Sequence, residues 1–302
     1  MHLRPDATNG QSTADAGAGW RIQARLRQFL PVPGLPILVI SAVLLTAVGA
    51  PLLSPHVPTR GDLDRSLLPP FWASGGSLDH PLGTDLYGRD QLSRIFYGAR
   101  ISLWVAALVI SVSIVVGTPV GMIAGYVGGW FDAILMRMVD LVLAFPLILL
   151  AIMLAVVFGP SFANVVVVVS LLIWPRLARL IRAETLSLRH NDFVVYAEVV
   201  GIPVWRIMIR HLFPNVLPTL IVMTTLEIGH VILIESSLSF LGAGIPPPYP
   251  SWGLMVADGR GRIVTGWWLS LFPGLAILVT VLAFTLFGDW LRERLDPRLR
   301  DR

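Results

Sequence analysis

Four stretches of this 302-residue chain carry no charged side chain: residues 28–59, 101–131, 141–175 and 263–288. A helix crossing the hydrocarbon core of a bilayer needs about 20 mainly apolar residues, so each stretch is long enough to span. The third holds parts of two helices divided at Gly159-Pro160, and an apolar segment over 213–241 is interrupted only by Glu227 and Glu235. The spacing predicts an all-α, polytopic membrane protein with six transmembrane helices, at about 34–54, 101–127, 134–158, 162–181, 214–241 and 267–289. Six such segments cannot share one soluble core in a chain of this size. Arg21, Arg25 and Arg27 precede the first span, and Ala47-Val48-Gly49-Ala50 resembles a signal-cleavage site. The apolar part is too long for a signal, so the segment reads as an uncleaved anchor.

Charged residues make up 14% of the chain, against roughly 25% in soluble domains. All 23 basic residues are arginine, since lysine is absent. That excludes a Walker A phosphate loop, a Schiff-base lysine and a Ser-Lys dyad. Cysteine is absent too, which removes disulfides, thiolate nucleophiles and Cys-zinc sites. The arginines flank the apolar segments rather than clustering with aromatics, so they fit a lipid bilayer and not a nucleic acid. Fifteen lie in the N-terminal segment, the loop between spans four and five and the C-terminal tail, against seven, diluted by aspartates, on the other side. The positive-inside rule places both termini and the long loop in the cytoplasm. The expected organisation is a cytoplasmic tail (1–30), disordered over 1–20, a first transmembrane helix (31–56), an extracytoplasmic segment (57–100), a five-helix core (101–290) with a cytoplasmic loop at 182–212, and a cytoplasmic tail (291–302).

Several polar or side-chain-free clusters stand out. Gly117, Gly121 and Gly125, with Gly129 just beyond, recur every four residues and form a stripe where another helix backbone can approach, as static packing or as a sliding contact. Arg137 and Asp140, three apart on one helix face, suggest a mutual ion pair or an interfacial position. Pro146 should kink the third span. Glu227, His230 and Glu235 are polar residues inside the fifth span, and their role is a path or a polar helix contact. Glu227 and His230 share a face but Glu235 is turned about 80° away, a poor spacing for a metal site or proton relay. Ser236 or Ser239 with His230 lacks a nucleophile elbow, which leaves little for an intramembrane hydrolase.

The loop between spans four and five is too long for a minimal connection. It alternates apolar and charged residues, punctuated by Gly201 and Pro203. Two structures suit it: a helix lying on the lipid surface, or a helix that docks into a groove of a cytoplasmic protein.

At this loop the chain resembles the permease subunits of binding-protein-dependent ABC importers, in particular the second permease of dipeptide and oligopeptide systems. The resemblance covers residues 80–300 and rests on motifs in order: HPLGTDLYGRDQLSRIFYGAR (80–100), GGWFDAILMRMVDLVLAFP (128–146), YAEVVGIPVWRIMIRHLFPNVLPTLIV (196–222), ESSLSFLGAGIPPPYPSWGLMVADGR (235–260) and FPGLAILVTVLAFTLFGDWLRERLDPR (272–298). Aligned on Gly201, the family's Glu-Ala-Ala reads Val195-Tyr196-Ala197, so a valine stands in place of the glutamate, and Glu198 is the nearest carboxylate. His230 stands where the family has a small residue.

The resemblance implies a type I ABC importer permease fold and half of a heterodimeric pore in a bacterial cell membrane. The implied partners are a sister permease, two cytoplasmic ATPase subunits or a fused ATPase, and an extracytoplasmic solute-binding protein that delivers short peptides. ATP and magnesium would sit on the ATPases, with no cofactor on this chain and no catalytic residue in it. Asp192, Tyr196, Ala197, Glu198, Gly201 and Arg206 become the residues expected to meet the ATPase. The same permease type is associated with haem, glutathione and nickel. From another class, a proton-driven secondary transporter working through Glu227, His230 and Glu235 is the alternative, disfavoured by the lack of an evident inverted repeat.

Overall fold

The computed structural model describes residues 33–295. The expected tail 1–30 and residues 296–302 of the tail expected at 291–302 lie outside the described residues, while 291–295 close the last helix. Within them every regular element is helical, apart from isolated bridges pairing Gly61 with Arg89 and Thr84 with Asp90. Five helices are long and apolar enough to span, and a sixth span arises when a sharply bent pair is counted as one.

Helix α1 (Gly34–Leu53) is apolar on all sides and buries only Pro36, Ala47 and Ala50, where it meets its neighbours in the bundle. A helix so exposed and so apolar is one that lipid must cover. Helix α2 (Gln91–Val127) begins ten residues before the expected start, because the Asp90 carboxylate caps it, accepting from the Ser93 amide at 2.8 Å. Its 37 residues extend about 55 Å, well beyond an apolar core of about 30 Å. The early turns therefore stand among the loops rather than in lipid, which is how Arg94 comes to be buried in protein.

The third span, expected over 134–158 with a kink at Pro146, is broken at that proline. Helix α3 (Gly129–Ala144) and helix α4 (Leu147–Phe158) meet at about 80°. Phe145 between them is extended, at φ −78 and ψ 129, because the ring of the following Pro146 disfavours the helical conformation there. Helix α5 (Phe162–Arg189) is capped by Ser161, whose hydroxyl accepts from the Asn164 amide at 3.1 Å. It runs eight residues past the expected end at 181, so Arg182 and Arg189 belong to a helix and not to a loop.

Helix α6 (Asp192–Val199) and the short α7 (Val204–Ile207) follow. One π-helical turn (Met208–Leu212) then leads without a break into α8 (Phe213–Phe240). Helix α9 (Trp252–Gly259) crosses the far end of the bundle, and α10 (Trp268–Leu295) returns through it.

The centre of the bundle is the contact of α2 with α5. A Cβ on Gly117 would stand 2.7 Å from the Trp174 carbonyl oxygen, one on Gly121 2.5 Å from that of Ala178, and one on Gly125 2.7 Å from that of Arg182. Both residue series rise together, so the helices run parallel with backbone against backbone. Gly129 does not extend the stripe: it lies past the end of α2 at φ +60, with open space around its Cβ position. Around this pair, Val105, Val109, Val169, Ile173, Val231, Ile232 and Trp252 form one apolar cluster. A second, toward the end carrying α6, gathers Met122, Tyr126, Leu177, Ile181, Val194, Ala197, Ile207 and Leu212.

Gly121→Leu should separate α2 from α5, at a cost of about 3 kcal/mol, and lower the melting temperature of the purified chain in detergent. Gly274→Ala, at a helix position with open space around its Cβ, should leave it unchanged. Equal melting of both variants would refute the backbone contact.

Candidate functional site

The segment 190–212 is a helical hairpin held against the ends of α2 and α5. Val194, Ala197, Ile207 and Leu212 point inward and are buried. Helix α6 stops in a Schellman turn: the Ile202 amide donates to the Ala197 carbonyl and the Gly201 amide to that of Glu198, both at 3.0 Å. Gly201 sits at φ +79, a conformation that glycine adopts without steric cost. The Tyr126 hydroxyl donates to Glu198 Oε1 at 2.7 Å, and the Arg189 guanidinium lies 5.8 Å from the Tyr126 ring centroid. Glu198 therefore ties the hairpin to α2.

The outward side is apolar. Tyr196 is 72% and Val199 79% exposed, with Val195, Val200, Val204, Trp205 and Ile209 also exposed. Asp192 lies in the first turn of α6, where a negative charge is favoured by the helix dipole. Arg206 lies 5.2 Å from the Trp205 ring centroid. Of the expected docking residues, Tyr196, Gly201, Asp192 and Arg206 are on the outer surface, and Ala197 is on the inner one.

Along α5 three arginines at intervals of three residues each reach another helix. Arg176 Nη1 lies 2.9 Å from His230 Nε2 on α8, Arg179 Nη2 donates to Asp140 Oδ1 on α3 at 2.5 Å, and Arg182 binds Asp132 through Nε at 2.5 Å and Nη2 at 2.6 Å. Asp140 thus pairs across helices with Arg179, and not with Arg137 three residues away, as the spacing within α3 suggested. Spacing along one helix shows only that helix's own neighbours, and the arginines of α5 signalled orientation rather than a partner.

Glu227, His230 and Glu235 do not form a cluster. Glu235 is fully buried, accepting from Ser239 at 2.8 Å and from Ser102 of α2 at 3.3 Å. His230 is exposed and faces Arg176, while Glu227 is half-buried with Oε2 enclosed and lacking a hydrogen-bond partner. Hydroxyl donors compensate a buried carboxyl that would otherwise be costly. The hydroxyls of Ser102 and Ser239 hold the Glu235 carboxyl, and the first of these joins α8 to α2.

At the opposite end of the bundle Asp85 gathers Arg89 Nε at 2.6 Å, Arg94 Nη1, and the amides of Tyr87 and Arg89. Asp258 of α9 lies 3.5 Å from Arg94 Nη2. Burial pushes the Asp258 carboxyl above the usual carboxylate range, against the pull of Arg94 and Arg89. Trp252 Nε1 donates to the Ile95 carbonyl and Trp268 Nε1 to that of Thr84. These bonds lock α9 and the start of α10 onto the beginning of α2.

The spanning bundle thus carries an apolar hairpin at one end and a locked plate of loops at the other. Inward-facing structures of the MetNI methionine ABC transporter share its fold, with a TM-score of 0.57 over 67% of this chain and 96% of that chain, at 16% identity. The chain belongs to the family of binding-protein-dependent transport system inner membrane components, which it matches over residues 117–301. It is therefore an ABC importer permease of the type I fold, a non-catalytic membrane component. Its relatives include the dipeptide transport system permease proteins DppC of Escherichia coli, 46% identical over 89% of this chain and 89% of theirs, and of Haemophilus influenzae, 40% identical over 87% and 90%. That of Alkalihalophilus pseudofirmus is 39% identical over 99% of this chain and 97% of its own.

Arg182→Ala should destabilise the purified chain by about 2 kcal/mol, the order of a hydrogen bond to a charged group. Exchanging the charges, with Asp132→Arg and Arg182→Asp together, should restore most of the loss in a thermal melt. No recovery would show that the pair does not join α3 to α5.

Proposed function

We propose that this chain is the pore-forming subunit of an ATP-driven importer of short peptides in a bacterial inner membrane. A sister permease forms the other half of the pore, and a solute-binding protein delivers the peptide on the outer side. Two ATPase subunits, separate or fused, hold ATP and magnesium and work the pair from the cytoplasm. The observation that carries the peptide assignment is the similarity over nearly the whole chain to permeases named for dipeptide transport. The arginine asymmetry supports placing both termini and the hairpin in the cytoplasm.

In this reading the hairpin is the input of the machine. Exposed Tyr196, Val199 and Val200 form an apolar patch beyond the spans, the kind of surface that fits a groove in a partner. The residue occupying the family's glutamate position, Val195, is exposed, while Glu198 is engaged by Tyr126. Contact with the ATPase is therefore apolar at the position where the family resemblance places a glutamate. Ile207 and Leu212 are buried, and the π turn passes into α8 without a break. A push on α6 accordingly reaches α8, the helix bearing His230 and Glu235.

The exposed ionisable groups mark the path. Arg137, Asp140, Arg176, Arg179 and His230 are exposed on spanning helices of this chain. Charged groups in spans face a water-filled cavity or another protein surface rather than lipid. This side faces the pore and the sister permease, and its excess of arginine suits the carboxylate end of a peptide. The Gly117, Gly121 and Gly125 stripe belongs to fixed packing.

In proteoliposomes holding the complete importer, Tyr196→Asp or Gly201→Asp should reduce substrate-stimulated ATP hydrolysis at least tenfold while the permease still inserts. Full coupling in both variants would overturn the docking assignment. In the same vesicles Arg179→Ala should slow dipeptide uptake several-fold without lowering basal hydrolysis. Unchanged uptake would remove Arg179 from the path.

A further inference from the structure

Behind the end of α1, three potential metal ligands converge that neither the transport reading nor the family match uses. His56 follows α1, His80 lies in the long connection, and Asp90 caps α2. Asp90 divides its two oxygens: Oδ2 accepts from the Ser93 amide and caps the helix, while Oδ1 faces both imidazoles. His80 Nδ1 lies 3.0 Å from Oδ1 and His56 Nδ1 3.9 Å from it. One ligand atom from each residue fits within a set no more than 4.8 Å across. The rings are tilted against one another, with centroids 4.5 Å apart and planes 31° from parallel.

Simple packing leaves one atom unaccounted for. His56 Nδ1 is enclosed and has no hydrogen-bond partner, although a buried polar nitrogen normally finds one. Its backbone is fixed by the neighbouring cap, since the His56 amide donates to Ser93 Oγ at 3.1 Å.

The geometry points to a divalent transition-metal site of the zinc type, formed by His56 Nδ1, His80 Nδ1 and Asp90 Oδ1. Two imidazoles and a carboxylate are a borderline-soft donor set that suits Zn²⁺ and disfavours Mg²⁺ or Ca²⁺, which prefer oxygen ligands. Ligands about 2.0–2.1 Å from a tetrahedral zinc stand about 3.3 Å from one another, between the 3.0 and 3.9 Å separations found here. Both imidazoles would bind as neutral rings protonated at Nε2, which leaves Nδ1 of each free for the metal. The Oδ2 cap and the amide held by Ser93 orient the ligands from behind. His80 and Asp90 are 4% and 1% exposed, whereas the His56 side chain is 38% exposed. The site thus has an inner wall and an open side, where a fourth ligand such as water fits. The open side is a shallow pocket that also includes Arg60, Asp62 and Arg65. Arg65 is drawn toward Asp62 at 3.7 Å and Asp79 at 3.5 Å, away from a bound cation.

Metal here would close the connection between α1 and α2 into a loop pinned at His56, His80 and Asp90, and stiffen the plate of loops at that end. The inference stands on these three residues and does not depend on what is transported.

The test uses the full chain purified without a histidine tag, stripped with a chelator and titrated with Zn²⁺ by calorimetry, with Co²⁺ as a spectroscopic probe. One Zn²⁺ per chain is expected, together with visible Co²⁺ bands of a low-coordinate site and a higher melting temperature on adding Zn²⁺. His56→Phe keeps a ring against His80 and removes one ligand. It should melt as the parent does without metal, bind Zn²⁺ at least tenfold more weakly and lose the Co²⁺ bands. Absence of saturable Zn²⁺ binding, binding unchanged in His56→Phe, or equal affinity for Mg²⁺ would overturn the site and leave a histidine–carboxylate clamp. Should His56→Phe fail to fold, His56→Gln, which keeps a polar side chain but offers a far weaker donor, gives the same comparison.

Discussion

The direct contact of backbone with backbone between α2 and α5 is the constraint on which the other helices depend. In lipid no water is expelled when two helices meet, so association rests on dispersion between closely approaching surfaces. Gly117, Gly121 and Gly125 remove every side chain from the approach and bring α2 against the carbonyls of Trp174, Ala178 and Arg182. Once these parallel helices are set, the segment between them must cross the bundle and return within about thirty residues. The break at Phe145-Pro146 belongs to that return. The rotation of α5 is fixed too, and with it the directions of Arg176, Arg179 and Arg182 toward α8 and α3.

The helices were legible in the sequence because hydropathy and length are local properties. Charge-free stretches, with the apolar run broken only by Glu227 and Glu235, located the spans, and the glycine period marked the right face of α2. Helix ends were read less well: Asp90 began α2 ten residues early and α5 continued to Arg189, since polar first and last turns leave no trace in an apolar count. Partners were read least well. Spacing offered Asp140 either Arg137 or an interfacial position, and the structure joins it to Arg179, because a pairing across helices depends on rotations that no single helix encodes.

The hairpin of α6 and α7 was legible in part. Gly201 and Pro203 marked its turn, and the Schellman hydrogen bonds explain why a glycine stands there. The inward role of Ala197 and the bond from Tyr126 to Glu198 were not visible, as both require the hairpin folded back on α2. Nor did the sequence join His56 to His80 and Asp90, which lie 24 and 34 residues along the chain from it and meet through a loop of irregular shape.

One helix touches both ends of the molecule. Helix α2 is fixed among Asp90, Arg94 and Asp258 at its start, and near its finish it receives the hairpin through Tyr126 and Glu198. A rod gripped at both ends makes each grip sensitive to the other. Whatever free energy a ligand at one end lends to a particular tilt of α2, a ligand at the other end must meet with the same sign and size. Loading on one face and engagement on the other are then two readings of a single equilibrium, and a partner that ignored the tilt would sense neither.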